Sequence, residues 1–312
     1  MHYRRLGKTD LNVSVLGFGC GSVGGLLVRG DRQEMLRTIA RAIDLGINYF
    51  DTAAMYGDGR SEANLGRILD ELNADVIVGT KVRLQAGELA NIEDAVTASV
   101  EKSLVRLKRE SVDLIQLHNL VGAERRPEQD QVTVEDVARV MAAFQQLERA
   151  GKVRCWGFNG LGETKALHEA LAGNVQTVQS CYNLLNPSAG QPAPAGFPFQ
   201  DYEQLIDRAA EQQTGVIAIR VLAGGALSGS GARHANAAQT VDPIATNATF
   251  REDVAQAQRF AFLIKQGDAA SLVDAAIRFA LAKPQISTAL VGLSNLDQLE
   301  QAVRAAERGP LP

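Results

Sequence analysis

Cysteine is scarce in this 312-residue chain: Cys20, Cys155 and Cys181 form an odd set with no metal-type pairing. That excludes a disulfide framework and a structural zinc module, and fits reduced thiols in a cytoplasmic protein. No apolar run approaches the ~18 residues that a membrane span requires. The opening stretch, MHYRRLGKTD, is basic but lacks the apolar core of a secretory leader. Neither charge sign dominates, since 32 basic side chains against 36 acidic ones leave a net charge of −4. The balance argues against a nucleic-acid binder, which would carry a basic excess. Aromatic residues make up only 5% of the chain, with Trp156 the single tryptophan. No internal repeat and no coiled-coil pattern is evident, so a monomer is expected.

What is present is an alternation of short apolar runs with longer amphipathic ones. Strands are expected at Val13–Gly19, Ile47–Asp51, Asp75–Lys81, Val112–His118, Val153–Asn159, Val175–Tyr182, Gly215–Arg220 and Ser287–Gly292. Eight units of about 39 residues each leave room for a strand, a helix and two loops, which predicts parallel strands joined by right-handed crossovers. The expected fold is an α/β (β/α)8 barrel forming one domain over residues 1–312, with an open doubly wound sheet as the alternative. Residues Tyr3–Val13, with Gly7-Lys8-Thr9-Asp10 between two extended runs, read as an N-terminal hairpin. Asp31 with Glu34, Asn91 with Asp94, and Asn295 with Gln298 resemble helix-starting capping boxes. After Asn91, Ile92, Val96, Val100, Leu104 and Leu107 fall on one helical stripe. The helix over 269–282 should stop against Pro284.

Two loops stand out. Residues 186–200 hold Pro187, Pro192, Pro194 and Pro198, and residues 223–249 hold Gly224, Gly225, Gly229 and Gly231. Both follow strands, so in a barrel both lie on the C-terminal face, where sites are built. Long connections there are functional, mobile or simply tolerated insertions.

Four polar groups fall near successive strand ends: Asp51, Tyr56 five residues later, Lys81 and His118. In a barrel these ends converge. A tyrosine hydroxyl near its ordinary pKa of ~10 is a poor donor at neutral pH. A neighbouring ammonium would lower that value, a carboxylate would hold the ammonium, and an imidazole would orient a carbonyl oxygen. The set suits protonating an oxygen or deprotonating an alcohol, with hydride supplied from elsewhere. Each residue also has a duller explanation: Asp51 as a turn cap, Tyr56 as a rim aromatic, Lys81 as a solvated strand-end charge, His118 as a satisfied strand-end histidine. Lys81 as a Schiff-base lysine would instead make the protein a barrel lyase.

These residues resemble the aldo-keto reductase family over nearly the whole chain. The resemblance runs through Leu16-Gly17-Phe18-Gly19, Asn48 to Gly57, Ser61-Glu62, Gly79-Thr80-Lys81, Asp113 to His118 and Val291-Gly292-Leu293-Ser294 with Gln298-Leu299. It implies a nicotinamide-dependent oxidoreductase moving hydride between NAD(P)H and an aldehyde, ketone or aldose. Tyr56 would be general acid or base, tuned by Lys81 and Asp51 and assisted by His118. Some relatives are non-catalytic nicotinamide-sensing subunits, which is the alternative role. The resemblance further implies that the backbone at Gly19, Cys20 and Gly21 passes the nicotinamide ribose. Asn159 and Gln179 would hold the carboxamide, with Phe158 where serine is common. Arg220, Val221 and Leu222 would run along the nicotinamide and pyrophosphate, with Ile219 or Arg220 replacing an aromatic stacking partner. At the adenosine end, Gly292, Ser294 and Gln298 match, but no lysine or arginine stands there for a 2′-phosphate. NADP(H) is the expected cofactor, with NAD(H) a close alternative; neither metal nor membrane is implied.

Overall fold

The computed structural model describes residues 1–246 and 248–311. Eight strands close into one barrel: β3 (Leu16–Gly19), β4 (Tyr49–Asp51), β5 (Ile77–Val82), β6 (Val112–Leu117), β9 (Val153–Gly160), β10 (Thr177–Cys181), β11 (Gly215–Ile219) and β12 (Ile286–Gly292). Every neighbouring pair is parallel, and β12 hydrogen-bonds to β3 to complete the ring. Closure decides between the barrel and the open doubly wound sheet. All eight expected strands are present, and four of them, β3, β4, β5 and β10, start two or three residues later than the apolar runs suggest.

The chain before the barrel is an antiparallel hairpin of β1 (Tyr3–Arg5) and β2 (Asn12–Ser14). Its Leu6, Leu11 and Val13 are buried against Tyr49, Leu114, Cys155, Ile217 and Leu290 from the barrel strands. The hairpin therefore plugs the barrel floor. Arg4 fastens it by donating to the carbonyls of Ile286 at 2.7 Å and Leu281 at 3.1 Å. The expected first strand merges two elements, because the chain turns between Ser14 and Leu16: Ser14 Oγ donates to Leu16 O at 2.8 Å and Val15 N to His2 O at 2.9 Å.

The larger core lies between the sheet and the surrounding helices. The Ile92–Leu107 helix buries the whole stripe of Ile92, Val96, Val100, Leu104 and Leu107. Asp31 and Asn295 each accept the backbone N–H three residues on, at 2.9 and 3.0 Å, as N-caps do. Asn91 differs: its amide donates to the Asp94 side chain at 2.5 Å instead of capping the backbone. The helix Leu272–Ala282 ends two residues before Pro284. Among the described residues no helix is long and apolar enough to cross a membrane.

Two connections on the C-terminal side carry structure that the strand count does not anticipate. Between β6 and β9, β7 (Leu120–Gly122) and β8 (Gln131–Thr133) pair in parallel. The proline-rich loop is tied to the glycine-rich one, since Asn186 Nδ2 donates to both Gln200 O (2.8 Å) and Ala245 O (2.7 Å).

Candidate active site

Asp51 closes β4, Lys81 is the next-to-last residue of β5, and His118 directly follows β6, anchored by its N–H to Val82 O at 2.7 Å. Tyr56 arrives in a tight turn after β4, where Gly59 N bonds Ala54 O at 2.8 Å. Gly57 sits at φ 63° in that turn, a left-handed conformation glycine adopts without strain, and a Cβ there would fall 2.6 Å from Val28 Cγ1. All four residues meet at the C-terminal mouth.

Lys81 is 1% exposed, so its ammonium must be paired to be tolerated. It forms a salt bridge with Asp51 Oδ1, donates to Thr52 O at 2.8 Å and reaches Tyr56 Oη at 3.5 Å. Asp51 Oδ2 accepts from Tyr49 Oη at 3.0 Å and from Gln179 Nε2 at 2.8 Å. The rings of Tyr56 and His118 meet edge to face, with centroids 5.6 Å apart.

The electrostatics correct one expectation. Desolvation pushes the Tyr56 phenol up; Lys81 and Arg220 pull it down, Asp51 pushes it further up, and the balance lies above the ordinary value. The ammonium softens the cost of burial without overcoming it. For Lys81, burial alone would favour the neutral amine, but Asp51 and Tyr56 hold it above the ordinary value. Burial, then Lys81 and Arg83, keeps His118 well below its usual range, so its imidazole is neutral at pH 7. A protonated phenol, a charged lysine behind it and a neutral imidazole beside it can deliver a proton to an oxygen while orienting that oxygen. Lys81 is engaged by Asp51, Thr52 O and Tyr56 and held above its ordinary value, the opposite of the lowered value that activates a Schiff-base lysine.

The other expected residues fall into groups. Gly19 and Gly292 are paired neighbours at the ends of β3 and β12. A Cβ at Gly21 would touch the Tyr56 ring at 3.6 Å, so this backbone passes directly by the phenol. Cys20 is 2% exposed, and its backbone is tied to the neighbouring strand end, its N–H donating to Asp51 O at 2.9 Å and its carbonyl accepting from Ser61 Oγ at 2.9 Å. Asn159 and Gln179 are register partners on β9 and β10. Asn159 Oδ1 is buried without a hydrogen-bond partner among the described residues, while the Gln179 amide is engaged with Asp51. Arg220 stands just beyond β11 at φ 55°; Val221 is buried and Leu222 partly so. Ser294 and Gln298 are committed to a helix start: Ser294 Oγ donates to Gly24 O at 2.7 Å and Gln298 Oε1 accepts Ser294 N–H at 2.8 Å.

Sequence reasoning named Arg220 but missed two further arginines, Arg29 and Arg233. Residues 233–238 lie across the loop after β3, where Ala238 N bonds Val23 O at 3.1 Å. Arg29 donates to Asn236 O at 2.7 Å, Arg220 to Asp242 O at 3.2 Å, and Arg233 to Gly224 O at 3.0 Å. Among the described residues none of the three pairs with a carboxylate. Desolvation, together with Arg220 and Arg29, holds Arg233 below its usual value. Neighbouring guanidiniums that bond carbonyls, with Arg233 also lying over the Phe250 ring at 5.0 Å, and that pair with no carboxylate suit a phosphate-bearing anion. With the unpartnered Asn159 oxygen and the open backbone at Gly21, they fit a dinucleotide whose amide end lies by Tyr56. Gly19, Gly21 and Gly24 also have the spacing of a dinucleotide-binding glycine motif, but in a barrel their use is local. A Cβ at Gly24 would fall 2.4 Å from Leu293 N.

The model of the Aldo/keto reductase family matches residues 15–312. The chain belongs to the aldo-keto reductase family. It is 28% identical to the L-galactose dehydrogenase of Arabidopsis thaliana, over 97% of this chain and 87% of that protein. It is 29% identical to a putative voltage-gated potassium channel subunit beta of Schizosaccharomyces pombe, over 98% of this chain and 88% of that protein. Among solved structures, the holo form of aldo-keto reductase AKR11C1 from Bacillus halodurans superposes with a TM-score of 0.71 at 27% identity, covering 100% of this chain and 93% of that one. This aldo-keto reductase is a nicotinamide-dependent oxidoreductase. Tyr49, also missed, had a readable signal, because period-two alternation puts it on the same side of β4 as Asp51.

Proposed function

We propose that this aldo-keto reductase interconverts a carbonyl and an alcohol with Tyr56 as the general acid or base. The observation that carries the reading is the contact chain Tyr49–Asp51–Lys81–Tyr56 with His118 against the Tyr56 ring. The bound nicotinamide cofactor supplies or accepts the hydride. Tyr56 Oη gives the proton to the carbonyl oxygen and takes it back in oxidation. Lys81 holds the phenol hydroxyl and stabilises its ionised form, and Asp51 holds Lys81. Neutral His118 fixes the carbonyl oxygen by hydrogen bonding. Asn159, backed by Gln179, takes the carboxamide, with Gly19, Cys20 and Gly21 lining the ribose side.

The preferred cofactor in this proposal is NADP(H), supported by the three arginines without carboxylate partners. They supply the positive charge that the Ser294–Gln298 segment lacks, while Val221, Leu222 and Gly292 contribute backbone. The substrate class is an aldehyde, ketone or aldose, the last supported by the likeness to an L-galactose dehydrogenase. The working unit we propose is a monomer of one domain, residues 1–312, in the cytoplasm, in keeping with three unpaired buried cysteines.

Calorimetric titration with NADPH and then NADH tests the cofactor. Tighter NADPH binding is expected, and equal affinities overturn the phosphate assignment. For the chemistry, Tyr56→Phe should keep cofactor affinity and lower kcat by ~10²-fold or more, the scale of general acid catalysis. Near-normal turnover in that variant overturns the role of Tyr56.

A further inference from the structure

The alternation that turns Gly79 and Lys81 of β5 towards the barrel axis continues past the strand, bringing Arg83 to the same side about 6.6 Å further along. Arg83 Nη1 lies 3.0 Å from Met55 Sδ, in the turn that carries Tyr56. Its Nη2 pairs with Asp130 Oδ2. Asp130 enters from the segment between β7 and β8, held at φ 54°. That segment already has its own anchor. Asn119 Oδ1 accepts from Leu84 N at 2.8 Å, and Asn119 Nδ2 donates to Leu84 O at 2.9 Å and to Asp130 O at 3.0 Å. The ion pair is therefore additional to what fixes the loop.

Both partners retain open surface, 29% for the Arg83 side chain and 25% for that of Asp130. Neither is saturated. Nη1 faces only a thioether, a weak acceptor, and Asp130 Oδ1 has no donor among the described residues. A free N–H donor beside a free carboxylate oxygen complements adjacent hydroxyls, because each hydroxyl both donates and accepts. An anionic substrate group would meet Asp130 as a like charge, and an apolar one would leave both groups without partners.

We propose that Arg83 and Asp130 form a hydroxyl-recognition pair at the mouth, selecting a polyhydroxylated substrate, an aldose or polyol, over a simple aldehyde. The inference rests on the reading of this mouth as a carbonyl–alcohol site and deepens it to a substrate class. Arg83 and Asp130 are specificity residues here, with Tyr56 carrying the chemistry.

The test combines binding with selectivity. The protein saturated with oxidised nicotinamide cofactor is titrated calorimetrically with a 1,5-anhydroalditol, a polyol that lacks the reacting hydroxyl. Measurable binding is expected, weakened at least tenfold in both Arg83→Met and Asp130→Ala. The ratio of kcat/KM for an aldose to that for benzaldehyde should fall at least tenfold in the same variants, with part of the loss recovered in Arg83→Lys. If the parent binds no anhydroalditol, or if both substrates lose equally so that the ratio stays put, the pair is only a loop clamp and the proposal fails. Should Asp130→Ala fail to fold, Asp130→Asn keeps the loop contact while removing the charge, and the same two readouts apply. Absence of all nicotinamide-linked turnover would defeat the general function, while anhydroalditol binding would still judge the pair.

Discussion

A lysine with almost no exposed surface survives only because its three acceptors replace water, and that arrangement gives Lys81 its leverage over Tyr56. Opposing influences act on the phenol: desolvation and Asp51 favour the proton staying, while Lys81 and Arg220 favour its leaving. Lys81→Met removes the nearer of the two downward pulls and leaves Asp51 without its ammonium. In the oxidative direction Tyr56 must first lose its proton, so kcat rises with pH as the phenol ionises, and that ascending limb should move to higher pH in the variant. At neutral pH the expected loss is ~10²-fold or more, with partial recovery as pH rises. A flat pH profile in Lys81→Met would contradict the coupling. The four polar residues were legible from their positions at strand ends. The direction of the Tyr56 shift was not, because the sequence reveals which charges are near but not how completely water is excluded.

At the scale of elements, the barrel floor shows what periodicity can and cannot supply. Eight apolar runs and one amphipathic stripe were enough for the ring and its helices. The bend that separates β2 from β3 was not visible, because Val13 to Gly19 is apolar enough to read as one strand although Ser14 and Val15 turn away to bond Leu16 and His2. The β7–β8 pair was missed for the opposite reason: three-residue strands leave too short a pattern. Asn91 failed as a cap because its amide found the Asp94 carboxylate first. The hairpin also offers a sharp test. Gly7 sits at φ 56°, and a Cβ there would fall 2.2 Å from Gly215 N and 2.5 Å from Gln213 O, both backbone atoms of the barrel floor. Gly7→Ala must therefore lift the plug or strain the turn, and should cost about 2 kcal/mol or more in urea unfolding. An unchanged midpoint would mean that the hairpin does not bear on the barrel.

For the molecule as a whole, the chemistry sits at one end of the ring and the plug at the other, and between them the interior keeps its ionisable groups neutral unless they are paired. Burial pushes the Cys181 thiol up to about 11, with Arg220 and Tyr202 only softening the effect, and burial likewise raises Tyr182 to about 12. Both groups thus hold their protons more tightly folded than unfolded. Below the ordinary thiol value of 9.0 the two states of Cys181 carry the same proton and stability is unaffected. Between that value and about 11 the unfolded chain ionises while the fold does not, so stability falls as pH rises, by on the order of 2 kcal/mol from Cys181. Lys81, held above its ordinary value by Asp51 after the opposing effect of burial, loses its contribution in the same direction at still higher pH. Urea midpoints measured from pH 8 to pH 11 should therefore decline, and Cys181→Ala, whatever its absolute stability, should decline less steeply. Parallel slopes for the two proteins would show that the Cys181 thiol is hydrated in solution and that the interior beside β10 admits water.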